Sequence, residues 1–137
     1  MNILIVNGPN LNLLGSREPE IYGSTSMESF LETLKKEFSS LNIHYFQSNI
    51  EGEIINRLHV DDYDALIINP GAYSHYSYAI ADGLKNIKKP KIEVHISNIY
   101  KREEFRQKSV TAAQSDGVIT GFGLNGYRLA VLNLVHS

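Results

Sequence analysis

Three polar clusters carry most of the side chains in this chain that could do chemistry. They are Asn7-Gly8-Pro9-Asn10, Asn69-Pro70-Gly71-Ala72-Tyr73-Ser74-His75 and His95-Ile96-Ser97-Asn98, and a further stretch carries Arg17 and Tyr22. An imidazole, with an ordinary pKa of about 6.5, can give or take a proton near neutrality. The chain has no cysteine, which excludes thiol catalysis, disulfides and Cys-ligated zinc. Its histidines lack the H-x-x-x-H spacing and have few carboxylates beside them, so no metal site is expected. Taken singly, Asn-Gly-Pro and Asn-Pro-Gly are ordinary turn chemistry. A lone histidine is more often a satisfied polar residue than a catalyst, and His44, His59 and His136 read that way. Several such clusters meeting at one place would be more than turn chemistry.

The elements that must bring them together follow from hydrophobic period. Short apolar runs at Ile3 to Val6, Ile43 to Phe46, Ala65 to Ile68, Ile92 to Val94 and Val118 to Thr120 read as strands. Between them lie amphipathic stretches. Thr25-Ser26-Met27-Glu28 has the form of a capping box and opens a helix whose inner face is Met27, Phe30, Leu31, Leu34 and Phe38. Ser48-Asn49-Ile50-Glu51 is a second such box, before Ile54, Ile55 and Leu58. Helices are also expected over Tyr76 to Leu84, Arg102 to Lys108 and Tyr127 to Val135. Strand-helix alternation predicts one α/β domain over residues 1–137. The expected fold is flavodoxin-like, a doubly wound five-stranded parallel sheet of order 2-1-3-4-5 with helices on both faces. Ligands of such sheets bind beyond the carboxyl ends of the strands, near the switch between strands one and three. All three clusters fall there. The long polar loop from Leu11 to Ser24 leaves the same edge and is placed to fold over it.

Composition narrows the partners. The 137 residues are 42% hydrophobic and 20% charged, a globular balance, and the net charge of −2 gives no electrostatic reason for nucleic acid or an anionic membrane. No apolar run approaches the roughly 20 residues that span a bilayer. The N-terminal apolar run breaks at Asn7-Gly8-Pro9 and lacks a basic start, unlike a signal peptide, so a cytoplasmic location is the default expectation. Gly121-Phe122-Gly123-Leu124-Asn125-Gly126 matches G-x-G-x-x-G, but no strand follows it and no ribose-binding acid lies about 20 residues on. Its glycines are expected to allow a tight turn and close packing of the last helix.

Taken in order, the clusters resemble the type II 3-dehydroquinate dehydratases over essentially the whole chain. Asn7-Gly8-Pro9-Asn10-Leu11-Asn12-Leu13-Leu14-Gly15 with Arg17-Glu18-Pro19 and Tyr22-Gly23 is similar to that family's opening signature. Asn69 to His75 resembles its second, and Glu93 to Asn98 with Arg102-Glu103-Glu104-Phe105-Arg106 its third. The resemblance implies loss of water from 3-dehydroquinate to give 3-dehydroshikimate, with no cofactor, in the shikimate route. It also implies a homo-oligomer, a dodecamer built from trimers.

Elimination next to a ketone needs a base for the α proton, a stabiliser for the enolate, an acid for the leaving hydroxyl and anchors for the ring. The resemblance makes Tyr22 the base, as phenolate. A free tyrosine has a pKa of about 10, so ionising it near neutrality costs about 4 kcal/mol without help. A nearby cation supplies such help, and Arg17 is the candidate, with Arg106 assigned mainly to substrate. Asn10 is carried over as the enolate stabiliser, through a held water. His95 becomes the general acid, and Glu93, two residues earlier on the same strand face, orients and charges it. Substrate carboxylate falls to Ile96 and Ser97, ring hydroxyls to Asn69, His75 and Arg106. Asp82 matches a position that reaches a neighbouring subunit's site. The chain departs from the family pattern at Tyr76, Tyr78 and Ala81, which bears on subunit contacts rather than chemistry.

Three rivals make different demands. A flavin or nucleotide binder needs a Ser-, Thr- or Gly-rich phosphate loop after strand one, where this chain has asparagines and a proline. A receiver-type signalling domain needs carboxylates where Asn10 and Asn69 stand. A non-catalytic flavodoxin-like ligand-binding relative would not be expected to keep Tyr22, Arg17 and His95 together.

Overall fold

Alternation of side chains along a parallel sheet divides the apolar residues into two cores. The computed structural model describes residues 1–14 and 26–136. Five strands, β1 (Asn2–Asn7), β2 (Asn42–Gln47), β3 (Ala65–Asn69), β4 (Lys91–His95) and β5 (Gly117–Thr120), form one parallel sheet in the order β2-β1-β3-β4-β5. That is the expected doubly wound order. Ile3 and Ile5 of β1, with Ala65, Ile67, Ile92 and Val94, face α1 (Met27–Glu37) and α4 (Asn125–Val135). Leu4, Val6, Leu66 and Ile68 face the opposite way, onto α2 (Glu51–His59) and α3 (Tyr78–Lys85). Side chains i and i+2 share a face and i+1 takes the other, so a strand covered on both sides is apolar throughout.

Strand β4 breaks that pattern. Ile92 and Val94 enter the first core, while Lys91, Glu93 and His95 alternate with them and are all buried. A buried charge must be paired or hydrogen-bonded. The Lys91 ammonium donates to the carbonyls of Leu84 (3.1 Å) and Ile87 (2.6 Å), capping the end of α3.

The helices keep their expected inner faces with altered ends. In α1, Met27, Leu31 and Leu34 are buried and Phe30 and Phe38 pack against them. Its cap is Ser26, whose hydroxyl accepts the Ser29 N–H at 3.1 Å, one residue later than a cap at Thr25, which lies outside the described residues. The second expected box does not form: Ile50 is the N-cap of α2 without a side-chain cap bond, and the Ser48 hydroxyl accepts from the Ile50 N–H and donates to Glu53. Helix α3 starts at Tyr78, with Ser77 accepting the Ile80 N–H, rather than at Tyr76. No α-helix covers Arg102 to Lys108; that stretch contains one 3₁₀ turn, Glu104–Arg106, after another at Ile99–Lys101. Its one large apolar residue, Phe105, is exposed, so there is no face for a helix to bury.

Two loops at the carboxyl edge interlock. The Gly8 N–H donates to the Asn69 carbonyl at 2.8 Å, and a Cβ on Gly8 would lie 2.2 Å from the Pro70 carbonyl oxygen. Gly71, at φ +62°, sits against the Pro9 carbonyl. Gly8→Ala should therefore spread the loops and lower stability by about 3 kcal/mol, the upper range for overpacking. Denaturant unfolding checks this; a loss under about 0.5 kcal/mol would mean the loops part freely. In the G-x-G-x-x-G stretch, Gly121 and Gly123 have positive φ, and a Cβ on Gly126 would come within 3.1 Å of Val94. These glycines serve the turn and the packing of α4, as expected.

Candidate active site

The carboxyl ends of β1, β3 and β4 open onto one crevice. Asn10, Asn69, His75, His95, Ile96, Ser97 and Arg106 line it, so seven of the eleven candidate residues meet there. Arg102, not singled out as a site residue from the sequence, lines it too. Glu93 lies behind His95, fully buried. Asp82 is on exposed α3 surface and is not part of the lining. Arg17 and Tyr22 lie outside the described residues. His44, His59 and His136 are exposed and line no part of the crevice.

Strand register levels the floor. Asn7 is flanked by Gln47 on β2 and Asn69 on β3, and His95 on β4 by Thr120 on β5. Beneath the crevice the buried Tyr127 of α4 donates its hydroxyl proton to Asn7 Oδ1 (2.6 Å) and accepts from Asn69 Nδ2 (2.9 Å). Asn7 Nδ2 donates on to the Tyr45 hydroxyl at 3.2 Å, and Asn69 Oδ1 accepts the Gly71 N–H at 3.1 Å. Burial pushes the Tyr127 phenol far above its ordinary range, against the opposing pull of its Asn69 and Asn7 bonds, so it stays protonated and structural. Asn69 is thus held at both polar atoms and retains one amide hydrogen for a ligand. Asn10 takes left-handed backbone, φ 68°, which asparagine tolerates better than most residues, and its N–H donates to Asn49 Oδ1 at 2.9 Å.

The two histidines are held in different ways. His95 Nε2 lies 2.7 Å from Glu93 Oε2. With Glu93 as carboxylate, Nε2 carries the proton, which leaves Nδ1 as the nitrogen for exchange with a ligand. His75 Nδ1 donates to the Lys108 carbonyl at 2.7 Å, so its Nε2 is an acceptor when the ring is neutral. Burial lowers the His75 pKa below the ordinary 6.5; the Lys108 bond opposes this, and the positive charges of His95 and Arg106 add to it. The rings stand 6.4 Å apart and 20° from parallel. Two neighbouring imidazoles therefore have divided roles, one neutral acceptor and one backed by a carboxylate.

The mouth is cationic. Arg102 donates to Ser97 Oγ at 3.2 Å, and Arg106 Nε pairs with Glu103 at 3.1 Å and stacks on Phe105. No carboxylate is among the described lining residues. Such a crevice suits a small anionic, hydroxylated molecule and can deliver a proton to it. Among the described residues no cluster of His, Asp and Glu could hold a metal. No helix of the described chain is long and apolar enough to cross a membrane.

Sequence reasoning missed Asn7, Tyr127, Arg102 and two hydroxyls on Glu93, those of Ser109 and Thr111. The alternation of Lys91, Glu93 and His95 with Ile92 and Val94 was the available signal. A both-faced strand with a polar stripe requires polar partners.

The chain is similar to known proteins along nearly its whole length. The family described as Dehydroquinase class II matches residues 1–135. A 3-dehydroquinate dehydratase of Clostridium botulinum (strain Okra / Type B1) is 56% identical over 134 residues, covering 95% of this chain and 91% of its own. One from Thermotoga petrophila is 54% identical over 133 residues, covering 96% and 92%. The crystal structure of a type II dehydroquinase from Butyrivibrio crossotus superposes with a TM-score of 0.94 at 45% identity, covering 100% of this chain and 98% of that one.

Proposed function

This chain belongs to the class II dehydroquinase family, and from that premise we propose that its crevice dehydrates 3-dehydroquinate to 3-dehydroshikimate, a step of the shikimate route. The observation that carries the reading is the His95–Glu93 pair opening onto a crevice lined by two arginines and no described carboxylate.

The reaction needs one proton removed from carbon and one given to oxygen. Tyr22, as phenolate, takes the proton α to the ketone. Arg17 favours that ionised form. The electron pair moves onto the carbonyl oxygen, and Asn10 stabilises the enolate through a held water. As the enolate collapses, the carbon–oxygen bond to the leaving hydroxyl breaks, and imidazolium His95 supplies a proton from Nδ1 so that water departs. Tyr22 ends protonated and His95 neutral, and solvent returns the proton from one to the other. Glu93 orients the ring through its contact with Nε2. The substrate carboxylate is held by the amides of Ile96 and Ser97 and the Ser97 hydroxyl. Neutral His75, the remaining Asn69 amide hydrogen and Arg106 take the ring hydroxyls.

This route uses no cofactor, and the ketone is never joined to the protein. No lysine lines the described crevice, and residues 15–25 contain none. Borohydride added during turnover should therefore leave activity and protein mass unchanged. A mass increase on a lysine, the mark of a reduced imine, would overturn the enolate route.

The proposal extends to a cytoplasmic dodecamer built from trimers, in which Asp82 reaches a neighbouring site. Asp82 sits away from its own crevice, on a helix whose first residue, Tyr78, is 71% exposed.

A further inference from the structure

We propose that residues 108–111 form a strap that positions both crevice histidines, with Ser109 and Thr111 acting through Glu93. The inference rests on the dehydratase reading above. The Ser109 hydroxyl donates to Glu93 Oε2 at 2.6 Å, the same oxygen that His95 Nε2 meets at 2.7 Å. The Thr111 hydroxyl donates to Glu93 Oε1. Each Glu93 oxygen thus holds a hydroxyl donor, and one holds the imidazole as well. Donors on both oxygens fix the plane of the Glu93 carboxyl group, and that plane sets the ring angle of His95.

The same four residues act on the second ring. The Lys108 carbonyl accepts the His75 Nδ1 proton, which fixes the tautomer with Nε2 as acceptor. The Val110 N–H donates to the Ser74 carbonyl at 2.7 Å, which anchors the strap to the turn that carries His75. The Ser109 hydroxyl also accepts the Ala112 N–H at 3.0 Å, which helps aim its own proton at Glu93. Neither Ser109 nor Thr111 lines the crevice. They are positioning residues, and their loss should act on turnover rather than on substrate binding.

The test compares Ser109→Ala, Thr111→Val and the double variant with Thr111→Ser, which keeps the hydroxyl. Turnover of 3-dehydroquinate should fall about 10-fold in each single hydroxyl deletion and about 100-fold in the double, the scale of lost outer partners. KM should stay within about twofold, since binding groups are untouched. Thr111→Ser should recover most of the Thr111→Val loss. Unchanged kcat, a KM that rises as far as kcat falls, or Thr111→Ser as impaired as Thr111→Val would overturn the proposal. A second readout does not depend on the reaction. The hydrogen-bonded Nε2 proton of His95, assigned by its disappearance in His95→Ala, should give a downfield proton resonance that is lost in the double variant and kept in Thr111→Ser. A resonance unaltered in the double variant would sink the strap even if the enzyme turned over. A wild-type chain without turnover but with this pattern would instead remove the dehydratase reading and leave the strap.

Discussion

Tyr22→Phe is expected to lower kcat by about 10³-fold or more while a substrate analogue still binds within a few-fold of the unaltered protein. Positioned general-base catalysis contributes roughly 10² to 10⁴. Phenylalanine fills nearly the same volume and removes only the oxygen that takes the α proton. Within the described lining, the groups that exchange protons near neutrality are His75 and His95. Burial holds His75 neutral, and its Nδ1 is committed to the Lys108 carbonyl. His95 is the proposed acid, with its Nε2 held by the Glu93 carboxylate. In the proposed route the base is Tyr22, carried over from the resemblance to the family signature. Steady-state kinetics with analogue binding by calorimetry checks the split. A variant within tenfold of normal turnover would take the base role from Tyr22.

His95→Ala is expected to cost about 10² to 10⁴ in kcat, again the range for a lost proton donor. The surroundings of the ring support the proposed role. His95 is 5% exposed, so its environment is set by the protein, and its Nε2 contact with Glu93 leaves one nitrogen for the leaving hydroxyl of the proposed route. Removal also leaves Glu93 buried with only the Ser109 and Thr111 hydroxyls. Glu93→Gln is the milder comparison: it keeps the shape but withdraws the negative charge beside the ring. If His95→Ala turned over nearly as fast as the unaltered chain, the proton would have to come from another donor, such as water in the crevice.

The sheet was legible because β1 and β3 are apolar on both faces and bounded by Asn-Gly-Pro and Asn-Pro-Gly. Both strands extend the expected runs by one residue or so at their ends. The crevice followed from topology, which sets the clusters after strands one, three and four at one edge. Local chemistry was less legible. Thr25 and Ser26 both fit a capping pattern, and the structure uses Ser26. Ser48 fits a capping box, but its hydroxyl serves Ile50 and Glu53 instead. The stretch from Arg102 to Lys108 is rich in helix formers yet lacks a face to bury, and tertiary packing rather than propensity stabilises short helices. The supporting partners were hidden for a different reason. Ser109 and Thr111 lie 16 and 18 residues beyond Glu93, and Tyr127 lies 120 beyond Asn7. Contacts at such separations leave no periodic trace, and a serine or threonine in a polar stretch resembles any solvent-facing residue. The polar stripe of β4 was the single local hint, since it demanded partners without naming them.

The most direct measurement mixes the purified protein with 3-dehydroquinate in a chelator and follows the ultraviolet absorbance of the conjugated enone. Prompt growth of that signal without any added cofactor is the predicted result. A folded protein that binds 3-dehydroquinate yet produces no enone would contradict the account and leave a ligand-binding relative in its place.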